Sequence, residues 1–243
     1  MFVHGSFATS SAWRGVLKHL DARAHQLITL DLNGCGESSP ALPNGSLLEQ
    51  DIEAVLMVGE EAAEEPLHLV GHSYGGIVCL GAALAGRIPI ASLTLFEPLP
   101  IAFLTALGDG DVVEEIRSFV ADYEAAHTSG EQWAFSRVIR LWGGPGAFDA
   151  MPDKVREAMA PGTADNIRQW HDNLAFTPDP AAYSALEMPV KLIQGEHANP
   201  IVKCIILRLS ELLPSNTVHE IAGAGHFMIH SHDQDCADLI KAP

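Results

Sequence analysis

The sequence predicts an α/β fold in which a mostly parallel sheet is flanked by helices and the chain leaves the sheet once to form a helical segment. In the first hundred residues, short apolar runs alternate with helical periodicity, as in βαβ units. Residues 101–186 contain helical patterns without a convincing strand, and the strand–helix alternation resumes after Pro189. With 47% apolar and 19% charged residues in 243, the composition indicates a globular protein with one large core.

The predicted strands are short apolar runs bounded by turn residues. In chain order they cover the first three residues, then 26–30, 67–71, 92–96, 190–194 and 217–221. The predicted helices have apolar residues at three- and four-residue spacing. They cover residues 47–61, 75–85, 112–126, 131–142, 152–159, 164–174, 201–213 and 232–240.

The strongest chemical signal is HLVGHSYGG at residues 68–76, which places Gly71-x-Ser73-x-Gly75 between a predicted strand and a predicted helix. A serine hydroxyl is a weak nucleophile, so it must be exposed to a base. The tight turn that exposes it requires residues nearly devoid of side chain two positions before and after it. A glycine-rich turn with an incidental serine is the alternative. The strand, the helix and a downstream histidine provide the context that favours the functional interpretation.

The chain resembles the α/β-hydrolase superfamily over nearly its whole length. The shared landmarks, in the family's order, are VHGSF (3–7), DLNGCGES (31–38), GHSYGG (71–76), LTLFEP (93–98), LIQGE (192–196) and GAGHF (223–227). The resemblance implies an α/β-hydrolase core of residues 1–100 and 187–243, with a helical cap of residues 101–186 inserted after the sixth strand in the family's count. The family's initial antiparallel strands have no counterpart. Either the sheet is reduced or natural N-terminal residues lie outside this sequence.

The resemblance also implies roles for individual residues. Ser73 corresponds to the nucleophile, and His226, in GAGH after the last strand, corresponds to the general base. The backbone N–H groups of Ser6 and Tyr74 correspond to an oxyanion hole, while His4 would brace the Ser6 loop. Loops after parallel strands leave the sheet at the same edge, which places His226 on the side of the predicted nucleophile.

The acidic member of the triad departs from the family's commonest pattern, because GEHANP at 195–200 contains no Asp. Glu97, at the strand end in LTLFEP, is the preferred acid. Glu196, the neutral Asn199 and a site without any acid stay open as alternatives. Pro98 favours an extended backbone at Glu97, and a carboxylate there would hold the imidazole in the required tautomer.

Serine, histidine and an oxyanion loop suit acyl transfer to water, so the predicted substrate is a small, hydrophobic carboxylic ester or thioester. Phe7, Phe103 and Trp142 are predicted to line its pocket, although the aromatic residues of the cap could instead form the cap's own core. Ser73 argues against haloalkane dehalogenases and epoxide hydrolases, which use Asp at this position. A C–C hydrolase, a cofactor-free lyase or oxygenase and a non-catalytic binding protein stay open.

Charge and composition restrict the partners. A formal charge of −17 disfavours nucleic acid and anionic membranes. No leader pattern or membrane-length apolar run is recognised, which predicts a cytoplasmic protein. The four cysteines form no CxxC pair, so free thiols and no metal site are expected. No dinucleotide or phosphate-loop motif occurs, and no cofactor is expected. A small-molecule substrate is the expected partner, and a homodimer is compatible with the sequence.

Overall fold

A computed structural model describes residues 1–62 and 65–241. Six strands form one sheet in the order β2-β1-β3-β4-β5-β6, and all neighbouring strands are parallel. The strands are β1 (Phe2–Val3), β2 (Thr29–Leu30), β3 (Leu67–His72), β4 (Ile90–Phe96), β5 (Val190–Gly195) and β6 (Asn216–Ile221). This architecture confirms the predicted α/β fold class.

Helices fill the connections between the strands. The α-helices are α1 (Arg14–Leu17), α2 (Leu47–Ala62), α3 (Tyr74–Ala85), α4 (Gly110–Thr128), α5 (Ser136–Gly143), α6 (Asp153–Met159), α7 (Thr163–Ala175), α8 (Pro180–Ser184), α9 (Pro200–Leu212), α10 (Met228–Ser231) and α11 (Asp233–Lys241). Short 3₁₀ helices cover Ser10–Trp13, Ala102–Leu107 and Ala160–Gly162. The sequence did not predict α1, α8 or α10, because four or five residues are too few to show a period.

The central strands are buried on both faces, as expected for a parallel sheet covered by helices. Because successive side chains of a strand point to opposite faces, neighbouring residues belong to two separate apolar clusters. One cluster, with α2, α3 and α9, contains Leu69, Leu95 and Leu192. The other, with α1, α10 and α11, contains Val70, Phe96 and Ile193.

The helical segment lies between β4 and β5. Residues 101–189, all of which the structure describes, contain helices and no strand. The buried side chains of this segment, such as Ile116 and Trp142, belong to the same apolar cluster as Leu95 of the sheet. The helical content agrees with the sequence pattern, while the division into a core and a cap stays a prediction.

The strand order creates a crevice at the carboxyl edge of the sheet. From β1 the chain passes to β2 on one side and then to β3 on the other side of β1. Loops that diverge at such a switch point leave a space between them, where α/β proteins bind their ligands. The segments that follow β1, β3, β4 and β6 carry Ser6, Ser73, Glu97 and His226 to this edge.

Candidate active site

Ser73 occupies a strained turn between β3 and α3. Its backbone has φ +56° and ψ −120°, and its N–H donates to the Phe96 carbonyl at 2.9 Å. A Cβ on Gly75 would lie 2.3 Å from the Val3 carbonyl oxygen, and one on Gly71 would lie 2.6 Å from the Gly75 oxygen. The two glycines therefore allow β1, β3 and α3 to approach closely enough to hold the turn.

His226 joins the Ser73 hydroxyl to a buried carboxylate. The Ser73 hydroxyl donates to Nε2 of His226 at 3.0 Å, and Nδ1–H of His226 donates to Oε2 of Glu97 at 2.6 Å. Oε1 of Glu97 accepts the Gly195 N–H at 2.9 Å. The carboxylate fixes the tautomer in which Nε2 is the acceptor, so the geometry allows a proton to pass from the hydroxyl to the imidazole.

The backbone of Glu97 is not extended, which corrects the expectation drawn from Pro98. Its φ is +43°, in the left-handed region that few non-glycine residues adopt. The N–H of Glu97 donates to the Ile193 carbonyl of β5 at 2.8 Å, while its side chain is held by Gly195 and His226. These three contacts across the sheet override the local preference before proline.

The two alternative residues, Glu196 and Asn199, have other hydrogen-bond partners. Oε2 of Glu196 accepts the Gly223 N–H at 2.8 Å. Oδ1 of Asn199 accepts the Ile201 N–H at 2.8 Å and caps the N-terminus of α9. Among the three candidates, Glu97 is the residue that the structure places in contact with His226.

The two backbone amides predicted for the oxyanion hole flank Ser73. A Cβ on Gly5 would lie 3.1 Å from Cβ of Ser73, so the loop after β1 lies directly against the turn. Tyr74 is the first residue of α3, where backbone N–H groups have no acceptor within the helix. Ser6 and Tyr74 both line the cavity beside Ser73.

Two neutral histidines brace this arrangement. His4 donates from Nδ1 to the Gly5 carbonyl at 2.8 Å and accepts the Leu32 N–H at Nε2 at 3.0 Å. His72 donates from Nε2 to the His226 carbonyl at 2.8 Å. Burial lowers the pKa of His4, and burial together with nearby His226 lowers the pKa of His72 well below its ordinary value. Both rings therefore hold backbone in place without carrying charge at neutral pH.

A buried carboxylate supports the turn from behind, and the sequence analysis missed it. Asp51 of α2 accepts the Tyr74 hydroxyl at 2.9 Å and both the backbone N–H and the side-chain amide of Asn33. Burial raises the pKa of Asp51. The available signal was its position on the apolar face of α2, where an ionisable residue requires a partner.

A cavity of about 910 Å³ opens onto Ser73 and His226. The predicted pocket residues Phe7 and Trp142 line it, together with Val138 and Ile139. Phe103 does not line it, contrary to the prediction. The 3₁₀ turn at Ala102–Leu107 directs this side chain into the core, where its ring packs against Tyr183 with centroids 5.5 Å apart.

Three amide side chains of α7, Asn166, Gln169 and Asn173, also line the cavity, and none of them was predicted from the sequence. They lie at three- and four-residue spacing, which places them on one helix face. Trp170 lies on the same face and is buried. Amides sharing a face with a buried tryptophan were the signal that could have found them.

The described part of the chain contains neither a cluster of metal ligands nor a membrane-spanning helix. No group of three or more His, Cys, Asp or Glu residues there could hold a metal ion. No helix within residues 1–62 and 65–241 is long and apolar enough to cross a bilayer. The four cysteines are free thiols, and burial raises the pKa of Cys79 and of Cys35 to about 12. These two thiols are therefore protonated at neutral pH and are poor nucleophiles.

Comparison with known proteins shows what this chain is similar to. The family model described as "Alpha/beta hydrolase family" matches residues 1–239. A dihydrolipoyllysine-residue acetyltransferase component of an acetoin cleaving system from Cupriavidus necator is 36% identical over 110 residues, 45% of this chain and 28% of that protein. Methylesterase 8 of Arabidopsis thaliana is 35% identical over 78 residues, 32% of this chain and 29% of that protein. The matches thus span less than a third of these relatives.

The fold is shared with solved structures at low identity. MenH from S. aureus superposes with a TM-score of 0.77 and 18% identity, covering 98% of this chain and 90% of that chain.

Proposed function

Because the chain belongs to the alpha/beta hydrolase family, we propose that it is a serine hydrolase that cleaves a carboxylic ester or thioester of a small, largely hydrophobic substrate. The proposal depends on one observation: the Ser73 hydroxyl donates to His226 at 3.0 Å, and His226 donates to Glu97 at 2.6 Å. Ser73 and His226 line a cavity large enough for a small-molecule substrate.

In the acylation step, Oγ of Ser73 attacks the acyl carbon while its proton passes to Nε2 of His226. The charge that develops on the carbonyl oxygen is stabilised by the N–H groups of Ser6 and Tyr74. In other enzymes, removal of one such donor raises the activation barrier by about 3 kcal/mol. Glu97 stabilises the imidazolium that forms. The imidazolium then gives its proton to the leaving alcohol or thiol, which departs as the acyl–oxygen or acyl–sulfur bond breaks.

In the deacylation step, water replaces the leaving group. Nε2 of His226 accepts a proton from the water as its oxygen attacks the Ser73 ester, and a second tetrahedral intermediate forms at the same two amides. This intermediate collapses to the carboxylic acid, and Oγ of Ser73 recovers its proton from the imidazolium. The cycle consumes one water and requires no other reactant.

The composition of the cavity favours an apolar acyl or alkyl group. Of the Asp, Glu, Lys and Arg residues, only Lys154 lines it among the described residues, and its side chain is exposed. Aliphatic and aromatic side chains form most of the wall. An apolar substituent gains about 25 cal/mol for each Å² of surface that it buries there.

The proposal is tested with a panel of p-nitrophenyl acyl esters. We expect Ser73→Ala to lose on the order of 10⁴-fold or more in kcat, and a fluorophosphonate probe to label the wild type but not this variant. Glu97→Gln should lose about 10²- to 10⁴-fold, because the imidazole loses its orienting acceptor. Glu196→Gln is the matched control and should stay near the wild type.

Two results would contradict the proposal. If Glu97→Gln keeps wild-type activity while Glu196→Gln loses it, the assignment of the acid is wrong. If the wild type neither releases acid from any ester nor reacts with the probe, the proposed hydrolase function is wrong. The remaining candidates are then a lyase, an oxygenase or a binding protein on the same scaffold.

A further inference from the structure

Gln169, a polar side chain of the cavity wall, uses only half of its hydrogen-bonding capacity within the described residues. Oε1 of Gln169 accepts the Ser6 hydroxyl at 2.7 Å and the side-chain amide of Asn166 at 3.2 Å. These two donors fix the oxygen end of the Gln169 amide. Its NH₂ end has no acceptor among the described residues, although the residue is only 7% exposed. Gln169 lines the cavity, so the remaining exposure of this side chain faces the space a substrate would occupy.

Asn173, a neighbouring amide on the same helix, has hydrogen-bond partners at both ends of its side chain. Asn173 donates from Nδ2 to the Leu99 carbonyl at 2.8 Å and accepts the Ile101 N–H at 3.1 Å. Both ends of its amide hold the chain that leaves β4. Gln169 has no equivalent backbone partner, and Oδ1 of the adjacent Asn166 is buried without a donor in the described chain. The side chains of Asn166 and Gln169 therefore contact each other, Ser6 and the cavity, and within the described residues they hold no backbone group of the fold.

The hydrogen bond to Ser6 places the Asn166–Gln169 pair beside the proposed oxyanion hole. The side chain of Ser6 bonds to Gln169, and the backbone N–H of Ser6 is one of the two proposed oxyanion donors. A substrate whose carbonyl oxygen points at that N–H brings its nearest substituents beside the Gln169 amide. An NH₂ group pairs with an oxygen acceptor and gains nothing from a methylene group.

We propose that Gln169, anchored by Ser6 and Asn166, is a specificity-determining residue that selects substrates with a neutral oxygen acceptor within two to four bonds of the scissile carbonyl carbon. The acceptor is an ether, hydroxyl or amide oxygen. A neutral group fits better than an ion, because no charged side chain other than exposed Lys154 lines the described cavity. This inference rests on the proposed hydrolase function, since it assigns a substrate feature to the same site.

The expected size of this substrate preference follows from the free-energy cost of leaving a buried polar group unpaired. A hydrocarbon that displaces water from the Gln169 amide leaves its donors unsatisfied, whereas an oxygen at the same position restores the bond. Sites built to bond a substrate group reject the analogue that lacks it. Typical penalties for a neutral group correspond to about 10- to 100-fold in kcat/KM.

The test uses isosteric ester pairs that differ by one oxygen. On the acyl side they are p-nitrophenyl methoxyacetate and butanoate, and on the alcohol side 2-methoxyethyl acetate and butyl acetate. Each kcat/KM is divided by the rate of hydroxide hydrolysis of the same ester, which removes intrinsic reactivity. We expect the wild type to prefer the oxygen-containing member of at least one pair by about 10-fold or more, and Gln169→Met to abolish that preference.

The control variant Ile139→Leu changes the apolar wall without changing its polarity, and it should leave the preference intact. If Gln169→Met instead lowers kcat equally for both members of each pair, Gln169 acts only by positioning the Ser6 loop, and the proposal is overturned. An absent preference in the wild type overturns it as well.

A binding measurement separates this inference from the proposed function. Methyl methoxyacetate and methyl butanoate are titrated into Ser73→Ala, and binding is followed by the fluorescence of Trp142 and Trp170, which line the cavity. Tighter binding of the methoxy ester, lost in the double variant with Gln169→Met, supports the subsite even if the wild type hydrolyses nothing. Equal binding of both esters overturns the subsite even if the wild type is an active esterase.

Discussion

At the scale of single residues, the chemistry-bearing side chains were predictable where a motif fixes the backbone around them. Gly71 and Gly75 identify the turn at Ser73, because no larger residue fits beside the Val3 and Gly75 carbonyls. Glu97 was harder to assign, because Glu196 and Asn199 lie in the segment where most members of the family have their acid. The sequence does not show that Gly195 donates to Glu97, a contact between adjacent strands that fixes the carboxylate.

His72 leads to a prediction about pH. In the unfolded chain a histidine titrates near 6.5, whereas burial and nearby His226 hold the pKa of folded His72 well below that value. Between the two values the unfolded chain binds the additional proton. The free energy of unfolding therefore falls as pH drops below about 6.5, by at most about 1.4 kcal/mol per pH unit for this group. Above 6.5 its contribution is fully present.

The measurement is urea unfolding of the wild type and of His72→Gln between pH 7.5 and pH 5. Glutamine keeps a donor for the His226 carbonyl but does not titrate. We expect a shallower decline in the variant, by about one proton in the linkage slope. Other groups with shifted pKa values, such as His4 and Asp51, contribute to both proteins and cancel in the comparison. Parallel curves would show that His72 is not held neutral by the fold.

At the scale of elements, regular strands and long helices were predicted within a few residues, because their apolar periods are complete. The short helices α1, α8 and α10 were not predicted, because they are too short to show a period. Helix α5 begins at Ser136 rather than at 131, since the preceding residues form turns. The burial of Phe103 depends on packing against Tyr183, a long-range contact that local patterns do not contain.

The contact between β1 and α3 can be tested with a single methyl group. A Cβ on Gly75 would lie 2.3 Å from the Val3 carbonyl oxygen, so Gly75→Ala forces the helix away from the strand. We expect a loss of about 3 kcal/mol or more in the free energy of unfolding, at the upper end for overpacking a close contact. Activity should fall with it, since Ser73 lies in the same turn.

Gly110→Ala provides the matched control for that substitution. A Cβ on Gly110, at the start of α4, meets nothing within 4 Å, so we expect a change of less than about 0.5 kcal/mol. Both variants add one methyl group to the first turn of a helix. Thermal or urea unfolding of the two side by side measures the cost of the clash. Equal stabilities would show that α3 can move away from β1 without penalty.

At the scale of the whole molecule, the sequence pattern predicted a mostly parallel sheet and the position of the helical segment along the chain. The patterns could not show how closely that segment joins the rest. Buried residues of the segment, such as Ile116 and Trp142, share one apolar cluster with Leu95 of β4. Asn173 of α7 bonds to the backbone of Leu99 and Ile101. Because these contacts are lost together, we expect the segment and the sheet to unfold in one transition.

The tryptophans allow this cooperativity to be measured. Trp13 packs against Phe96 on the other face of the sheet, and the remaining three, Trp133, Trp142 and Trp170, lie in the helical segment. In a Trp13→Phe variant, fluorescence therefore reports on the helical segment alone, while far-ultraviolet circular dichroism reports on all helices. Coincident urea midpoints indicate one cooperative unit. A fluorescence transition at lower urea than the dichroism transition would mean that residues 101–186 unfold as a separate domain, and that the shared cluster contributes little to holding the two parts together.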